Sequence, residues 1–497
     1  MKLHITGNTD VNTYYVQTLC MIFFPGEKFS DEVEAGEPEF FLDVTEDAAA
    51  VRVFARLLYQ EKQTTAEACV IKDGARTSDR TRKICIGQAV LDAAGEMMHY
   101  HPSWGMLTGV RPSKIATEML QSGASKAKVR KMLSSEYLVI PKKAALATDV
   151  ALREQEILGT PGARDCSLYV SIPFCPTRCS YCSFVSYTSQ RLLSLIPDYL
   201  TMLCAEIRRK FSLVRELGLT PKSLYIGGGT PTILDAAQLE VLLSVIGETV
   251  DVSALREYTL ESGRPDTITA EKMAIAAAHG VTRVCVNPQT LCEEVLRGVG
   301  RAHTVEDFYR AYDIARASGI QCINTDLIVG LPGDNFDLFF RTFNEIVRLD
   351  PENITVHTFC VKRAAEILRQ GKRVYNLRGG DAGKCVDYSQ IRAAEAGYLP
   401  YYMYRQKNMV GNFENVGFSK PGFECLYNIY MMEEVHSIFA VGAGAVTKLV
   451  DYAPQGSGKK SVIRRVFNAK YPYEYLESDK SAEVAETIAE FYRERGI

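Results

Sequence analysis

Short apolar runs alternate with longer amphipathic segments from Ser167 to about Arg373, and this alternation restricts the possible folds more than any other feature of the chain. The apolar runs are predicted strands at 167–172, 223–227, 258–262, 282–286, 322–330 and 353–358. The segments between them carry apolar residues at helical spacing and are predicted helices at 194–217, 236–248, 270–279, 305–318 and 336–349. Strands that alternate with helices form βαβ units and a parallel sheet. Six such units predict an α/β fold, an incomplete (β/α)6 TIM-like barrel.

The length of 497 residues predicts several domains, because hydrophobic cores stop growing at roughly 250–300 residues. We divide the chain into an N-terminal accessory domain of α+β type at 1–160, a core at 161–373 and a C-terminal α/β extension at 374–497. In the N-terminal domain, residues 40–44 look like a strand, whereas Arg52–Gln60 has a helical pattern.

Charge and hydropathy exclude several classes of function. The formal net charge is −3, so no basic excess points to nucleic acid as the main partner. No apolar run reaches the ~20 residues that a membrane span needs. The first residues also lack the pattern of a signal peptide, so we expect a cytoplasmic protein. Thiols stay reduced in that compartment, and a tight group among the 14 cysteines therefore indicates metal binding or catalysis.

One such group exists, because Cys175, Cys179 and Cys182 are spaced C-x3-C-x2-C in the segment IPFCPTRCSYCSF. Prolines and the lack of apolar periodicity make this segment a loop, and it directly follows a predicted strand. It should lie at the carboxyl edge of the sheet, where barrel enzymes place their sites. Three thiolates on one loop can hold three irons of a [4Fe–4S] cubane and leave the fourth iron open. A zinc site is the alternative, but structural zinc needs four ligands, usually as two pairs, and no second pair lies nearby.

This spacing resembles that of the radical S-adenosylmethionine (SAM) superfamily, in which SAM binds the open iron. The wider run LYVSIPFCPTRCSYCSF is similar to the branch of the oxygen-independent coproporphyrinogen III oxidases. The resemblance implies that SAM is bound by residues at the ends of successive strands and beside the cluster loop: Tyr169, Tyr181, Gly228, Gly229, Thr230, Glu261, Gln289, Arg301 and Asp326. The residues themselves support Asp326, because an unpaired charge inside an apolar strand costs several kcal/mol unless a ligand or an Arg partner offsets it.

Several positions depart from the pattern of this branch. The oxidases carry a fourth Cys where this chain has Phe184, and they tend to carry His where it has Ser171. After the fourth core strand, Cys285-Val286-Asn287-Pro288 replaces the Ser-x-Gly-Val that is common in this branch. Pro288 should reshape the turn, because proline fixes φ and has no N–H. The N-terminal extension and the segments ESGRPDTI and YRQKNMVGNFENVG look most like the HemZ-type proteins.

The C-terminal extension is predicted to lie on the substrate side. The residues 442–448 resemble a Gly-Ala loop of the family, although a plain packing turn has the same composition. Tyr404–Asn408 and Gly411–Val416 mix rings with basic residues and would suit a flat, acidic tetrapyrrole. An ordinary charged surface loop remains the alternative. His99, His101 and Trp104 are interpreted as packing residues.

The resemblance implies a reaction in which a 5′-deoxyadenosyl radical removes hydrogen from a propionate, which then loses CO2 and an electron to become a vinyl group. Oxidative decarboxylation of coproporphyrinogen III in heme biosynthesis is the first hypothesis. The alternatives are a radical SAM methyltransferase or other heme-modifying enzyme, and a heme chaperone. The expected partners are a tetrapyrrole and an electron donor such as flavodoxin or ferredoxin, and the expected state is a monomer.

Overall fold

A computed structural model describes residues 1–74, 76–109, 111–182, 186–360, 380–406, 409–453, 461–477 and 481–496. The strands are β1 Lys2–Gly7, β2 Glu39–Glu46, β3 Ala50–Tyr59, β4 Lys62–Ile71, β5 Asp165–Ile172, β6 Thr220–Gly228, β7 Glu257–Leu260, β8 Arg283–Cys285, β9 Cys322–Val329, β10 Asn353–Thr358, β11 Leu399–Tyr404, β12 Asn415–Ser419, β13 Ser437–Val441, β14 Val446–Asp451 and β15 Val462–Phe467.

The helices are α1 Thr13–Phe23, α2 Ser78–Met98, α3 Ser113–Gln121, α4 Lys126–Ser135, α5 Pro141–Leu158, α6 Gln190–Leu193, α7 Ile196–Glu216, α8 Ala236–Thr249, α9 Ala270–Ala278, α10 Glu293–Gly298, α11 Val305–Ala317, α12 Phe336–Leu349, α13 Gly380–Glu395, α14 Leu426–Glu433, α15 Pro472–Glu477 and α16 Ser481–Arg493. None of them, within the described ranges, is long and apolar enough to cross a membrane.

Two compact units divide the chain. The first comprises Met1–Leu152, Met403–Glu414 and the described part of Tyr375–Gly383, and the second comprises the described parts of Arg153–Val374, Lys384–Tyr402 and Asn415–Ile497. The division into three domains at 1–160, 161–373 and 374–497 stays a prediction, and its boundary at residue 373 lies outside the described residues.

The first unit contains a four-stranded sheet in the order β1-β2-β3-β4, with β1 parallel to β2 and the other pairs antiparallel. The helical prediction for Arg52–Gln60 is wrong, because these residues belong to β3. Val51, Val53, Ala55 and Leu57 are buried, whereas Arg52 and Phe54 point outward. Alternation with a period of two is what a half-buried strand requires.

The second unit contains the predicted parallel sheet, and all six predicted core strands are present. Consecutive strands from β5 to β10 are hydrogen-bonded neighbours and run parallel. A seventh parallel strand, β13, lies beside β5. The full order in the described chain is β11-β12-β10-β9-β8-β7-β6-β5-β13-β14-β15, and no pairing among the described strands closes it. The α/β fold class with an open array of βα units is therefore confirmed.

Side-chain caps fix where the intervening helices begin. Asp235 and Gln238 form a capping box at the start of α8, and Thr304 and Asp307 form another at α11. Such reciprocal bonds satisfy backbone N–H groups that have no partner within the helix. The caps fix the first residue of each of these helices. They therefore also fix where the loop between the preceding strand and the helix ends.

A buried ion pair lies at the amino-terminal end of the parallel strands β7 and β8. Glu257, the first residue of β7, accepts hydrogen bonds from the backbone N–H groups of Leu426 at 2.7 Å and Tyr427 at 3.1 Å. The carboxylate thus lies at the amino terminus of α14, where the helix dipole favours negative charge. Arg283 lies 3.4 Å from Glu257 and donates to the carbonyl oxygens of Phe423 and Glu424. These contacts seat α14 against the sheet.

Candidate active site

The loop that follows β5 is closed at its base by backbone hydrogen bonds. The N–H of Cys175 donates to the carbonyl of Tyr187 at 3.1 Å, and the N–H of Tyr187 donates to the carbonyl of Pro173 at 2.9 Å. We call residues 173–187 the cluster loop. Phe184, which replaces the fourth Cys of the oxidases, lies outside the described residues. The loop leaves the carboxyl end of β5, as the sequence predicts.

Each of the three cysteines has a defined neighbour. The Sγ of Cys175 lies 3.3 Å from the Oγ1 of Thr230, and burial raises the pKa of this thiol. The Sγ of Cys179 lies 3.9 Å from the Nη1 of Arg264. The N–H of Cys182 donates to the carbonyl of Cys179 at 3.0 Å, which fixes the turn between the second and third thiols.

Arg301 holds the far side of the cluster loop. Its Nη1 donates to the hydroxyl of Tyr181 at 3.0 Å, and its Nη2 donates to the carbonyls of Asn287 at 2.7 Å and Gly263 at 3.2 Å. Its Nε donates to the Nδ1 of His303 at 3.3 Å. A guanidinium has five N–H groups, so these contacts leave one for a ligand. Arg301 therefore joins the segments that follow β7 and β8 to the cluster loop.

The turn after β6 requires glycine for packing against the protein itself. A Cβ on Gly227 would lie 2.6 Å from the ring of Tyr225 and 2.7 Å from the Oε2 of Glu261. A Cβ on Gly229 would lie 2.5 Å from the carbonyl oxygen of Phe174. Gly228 has φ +110°, a backbone angle that residues with a side chain rarely adopt. The Gly-rich turn thus lies directly against the cluster loop and the carboxylate of Glu261.

Two carboxyl groups of the site differ in protonation: Glu261, which follows β7, and Asp326, which lies in β9. Burial, together with the charge of Asp326, raises the pKa of Glu261 to about 8. The pKa of Asp326 is lowered despite its burial, because His357, Asn324 and Thr355 stabilise the charged form. At neutral pH, Glu261 is therefore mainly a neutral acid that can donate, and Asp326 is an acceptor.

The partners of Asp326 are amides and an imidazole. The Nδ2 of Asn287 donates to its Oδ2 at 2.9 Å, and the Nδ2 of Asn324 donates to its Oδ1 at 2.8 Å. The Nε2 of His357 lies 3.7 Å from Oδ2. The expectation that a ligand or an Arg offsets the buried charge is thus corrected in part, since protein amides already do so.

Gln289 has two properties that indicate a ligand-binding position. Its φ is +69°, an unusual value for a residue with a side chain. Its N–H donates to the carbonyl of Asp326 at 3.1 Å, so the strand edge imposes this conformation. Its side-chain Oε1 is buried and has no hydrogen-bond partner within the described part of the chain. Buried polar atoms are normally paired, and a bound molecule with an N–H or O–H group would satisfy this one.

Three stacked tyrosines form the floor beneath these groups. The rings of Tyr225 and Tyr427 are 4.6 Å apart with an interplanar angle of 24°, and the ring of Tyr169 lies 6.2 Å from Tyr225 and 5.9 Å from Tyr427. Burial raises the pKa of all three hydroxyls, so they stay neutral. They give the site an apolar base that excludes water.

Comparison with known proteins connects this geometry to a family. A family model described as the radical SAM superfamily matches residues 169–346. The oxygen-independent coproporphyrinogen-III oxidase-like protein HemZ of Bacillus subtilis (strain 168) is 38% identical over 380 residues, which cover 75% of this chain and 74% of HemZ.

The chain belongs to the radical SAM superfamily, in the HemZ-like branch.

Two further proteins are similar to it. The heme chaperone HemW of Bacillus subtilis (strain 168) is 31% identical over 281 residues, or 56% of this chain and 70% of HemW. The solved structure of the coproporphyrinogen III oxidase HemN from Escherichia coli has a TM-score of 0.50 and 21% identity, and the match covers 67% of this chain and 73% of HemN. The structural similarity to HemN confirms the radical SAM fold.

Radical SAM proteins use a [4Fe–4S] cluster and SAM, so both predicted cofactors are confirmed at the level of the superfamily. The donor set of this chain fits such a cluster. Three thiols lie on one loop, yet no three His, Cys, Asp or Glu side chains in the described ranges are grouped closely enough to hold one metal ion. The number and type of donors on the loop are what fits the group, because three thiolates can each bind one iron of a cubane.

The radical SAM site contains three residues that sequence reasoning missed. Arg264 contacts the cluster loop, Asn287 binds Asp326, and His357 lies beside it. Asn287 lies two residues beyond the end of β8, where strand periodicity no longer indicates which way a side chain points. Arg264 lies in a turn, where no periodicity indicates which way a side chain points.

The prediction that residues 404–408 and 411–416 form a surface for a tetrapyrrole is wrong for two charged residues, Arg405 and Glu414. Arg405 is buried and donates to the carbonyl oxygens of Leu107 and Asn412. Glu414 is buried and accepts from the Nε1 of Trp104 at 2.7 Å and the Nζ of Lys143 at 2.6 Å. These side chains bind one another within the first unit. Lys407 and Asn408 of the same segment lie outside the described residues.

The Gly-Ala segment at 442–448 forms a turn next to β5 and then enters β14, which begins at Val446. Gly442 has φ +93°, and a Cβ there would lie 2.6 Å from the carbonyl oxygen of Ser171 and 2.6 Å from the hydroxyl of Tyr199. The N–H of Ala443 donates to that hydroxyl at 2.9 Å, and the Oγ of Ser171 donates to the carbonyl of Ala443 at 2.9 Å. Ser171, which replaces the His of the oxidases, thus ties β5 to this turn.

Proposed function

We propose that this chain is a radical SAM enzyme of tetrapyrrole metabolism and that it converts propionate side chains of coproporphyrinogen III to vinyl groups without oxygen. The observation that carries the proposal is the 38% identity to HemZ over 380 residues, an alignment long enough to extend beyond the radical SAM core. The cluster loop and the paired carboxyl groups at the strand ends support it.

Cys175, Cys179 and Cys182 would hold the cluster. When bound and reduced, the cluster and SAM supply a 5′-deoxyadenosyl radical that removes a hydrogen atom from substrate. The residues that would bind SAM are those predicted from the sequence: Tyr169, Tyr181, Gly228, Gly229, Thr230, Glu261, Gln289, Arg301 and Asp326. The protein contributes position, hydrogen bonding and exclusion of water.

The protonation states at the strand ends give the proposed SAM site complementary groups. Neutral Glu261 can donate its proton to an oxygen of the ligand, while ionised Asp326 can accept from a hydroxyl or an ammonium group. The unpaired Oε1 of Gln289 is a second acceptor. SAM carries an ammonium group, a carboxylate and ribose hydroxyls, and therefore offers partners for all three side chains.

In the proposed reaction each propionate loses one hydrogen atom to the radical, then CO2, then one electron, and becomes a vinyl group. Two rounds convert coproporphyrinogen III to protoporphyrinogen. The reduction of the cluster requires an external donor, for which flavodoxin or ferredoxin is suitable, and the electron released from substrate requires a one-electron acceptor. We expect the enzyme to act as a monomer in the cytoplasm.

The test uses the full chain, purified without oxygen and reconstituted with iron and sulfide. It is reduced with dithionite, freed of the excess reductant and incubated with SAM, coproporphyrinogen III and a quinone as the one-electron acceptor, and the products are identified by mass spectrometry. Loss of two CO2 and formation of 5′-deoxyadenosine are expected from the wild type, and neither from Cys179→Ser. Cys69→Ser is the matched control, because Cys69 is exposed on β4 in the other unit and should leave activity unchanged. A wild type that forms a four-iron cluster and cleaves SAM but leaves coproporphyrinogen III intact would contradict the proposed substrate.

A second candidate function is heme binding, which the 31% identity to the heme chaperone HemW favours. The same preparation distinguishes the two candidates when it is titrated with heme. A stable stoichiometric heme complex, with no vinyl product from coproporphyrinogen III, would support the chaperone. A methylated or ring-opened heme in the SAM incubation would instead indicate a heme-modifying radical SAM enzyme.

A further inference from the structure

Arg264 is held in a fixed orientation beside the cluster loop. It follows β7 by four residues and is buried, with 4% of its surface exposed. Its Nε and Nη2 donate to the two carboxylate oxygens of Asp266, each at 3.0 Å. This bidentate pair fixes the plane of the guanidinium and leaves Nη1 directed elsewhere.

The remaining nitrogen, Nη1, points into the cluster loop. It donates to the Oγ1 of Thr177 at 2.8 Å and lies 3.3 Å from the carbonyl oxygen of the same residue. It also lies 3.9 Å from the Sγ of Cys179, a contact length suited to a large sulfur acceptor. Arg264 is thus the guanidinium that directly contacts both the backbone of the cluster loop and one of its thiols.

The electrostatic consequence follows from the charge of a reduced cluster. Reduction adds one negative charge to the cluster, and hydrogen bonds to its sulfurs together with nearby charges set its potential. A buried guanidinium favours the reduced state because the surrounding protein screens it weakly. The carboxylate of Asp266 opposes this effect, since it brings a negative charge to the same place.

We propose that Arg264 is a positioning residue that fixes the cluster loop through Thr177 and raises the reduction potential of the cluster through its N–H group at Cys179, with Asp266 limiting the size of the effect. The proposal rests on the cluster assigned under the proposed function. It assigns no step of the reaction to Arg264.

The test is a redox titration of the reconstituted protein without SAM, followed by electron paramagnetic resonance of the reduced cluster. Arg264→Gln should lower the ratio of reduced to oxidised cluster about tenfold at a fixed potential, which corresponds to ~59 mV for one electron. Asp266→Asn should shift the midpoint in the opposite direction, because it removes the opposing charge. Glu490→Gln is the control, since it removes an exposed carboxylate of α16 outside the cluster loop, and its midpoint should equal that of the wild type.

A purely structural role for Arg264 makes a different prediction. Loss of the Arg264–Asp266 pair would then disturb the loop in the same way from either side, and both variants would shift in one direction or not at all. Either result would overturn the proposal. Should Arg264→Gln fail to retain iron, Asp266→Asn decides alone: a positive shift supports the proposal and any other result overturns it. Failure of the cluster assignment is separately visible, because the wild type would then show no four-iron signal. Failure of the proposed substrate is visible in the product analysis and leaves the expected midpoint shifts unchanged.

Discussion

Replacement of Glu261 by glutamine should stabilise the protein without its cofactors, and the gain should grow with pH. Burial and the charge of Asp326 raise the pKa of Glu261 from 4.5 to about 8. The folded protein therefore holds this proton more tightly than the unfolded chain, and stability falls as pH rises through the interval between these two values. Each pH unit corresponds to about 1.4 kcal/mol, so the carboxyl lowers stability by ~3 kcal/mol at pH 7 and by ~5 kcal/mol above pH 8.

Thermal unfolding of the iron-free, SAM-free protein, followed by circular dichroism between pH 5 and pH 8.5, checks this sign. With roughly 2 °C per kcal/mol for a domain of this size, Glu261→Gln should melt about 6 °C above the wild type at pH 7 and close to it at pH 5. Glu490→Gln, an exposed substitution in α16, is the control and should follow the wild type at every pH. A difference between Glu261→Gln and the wild type that is constant with pH would refute the reasoning, because it would show that Glu261 titrates at its ordinary pKa.

Two further predictions follow from the packing. Lys143→Met should destabilise the first unit by about 3–5 kcal/mol, because it removes the cation paired with the buried carboxylate of Glu414. The double variant with Glu414→Gln should recover most of the loss in a thermal melt, because the amide is neutral and its oxygen can still accept from the Nε1 of Trp104. Gly227→Ala should weaken SAM binding at least tenfold by calorimetry, because the new Cβ would displace the ring of Tyr225 and the carboxylate beside it. Its control is Gly247→Ala in α8, where a new Cβ would meet nothing within 4 Å. This substitution should raise the stability of the protein by up to about 1 kcal/mol, because alanine favours a helix more than glycine does.

The core strands could be predicted because each one combines an apolar run with a helix on either side, and both signals are local. The segment Arg52–Gln60 failed for a local reason as well. Its residues Val51, Val53, Ala55 and Leu57 alternate with Arg52 and Phe54, but the adjacent Leu57 and Leu58 also satisfy helical spacing. The partner strand β2, which supplies the backbone hydrogen bonds, decides between these patterns.

The interpretation of Arg405 and Glu414 as a ligand surface failed for a different reason. Both side chains are charged and lie among aromatic residues, which is typical of a binding face. Their actual partners are Trp104, Lys143 and the carbonyl of Leu107, and these lie between 271 and 310 residues away in the sequence. No local sequence pattern indicates a contact between residues so far apart in the chain. The charged composition of the segment therefore predicts exposed side chains, whereas Arg405 and Glu414 are buried in the fold.

Asn287, which lies just after β8, contributes both to the pairing of the strands and to the candidate active site. Pro288 has no N–H, so the hydrogen-bond ladder between β8 and β9 cannot continue through it. The side chain of Asn287 supplies an acceptor beside this break, because its Oδ1 accepts from the N–H of Asp326 at 3.0 Å. The same amide donates from Nδ2 to the carboxylate of Asp326 at 2.9 Å. The next residue, Gln289, then rejoins the strand with φ +69° and its N–H on the carbonyl of Asp326. The proline thus does more than reshape the turn. The N–H of Gln289 takes the place of the missing donor, and the amide of Asn287 contacts both the backbone N–H and the carboxylate of Asp326, so the strand pairing and the position of that carboxylate depend on the same amide.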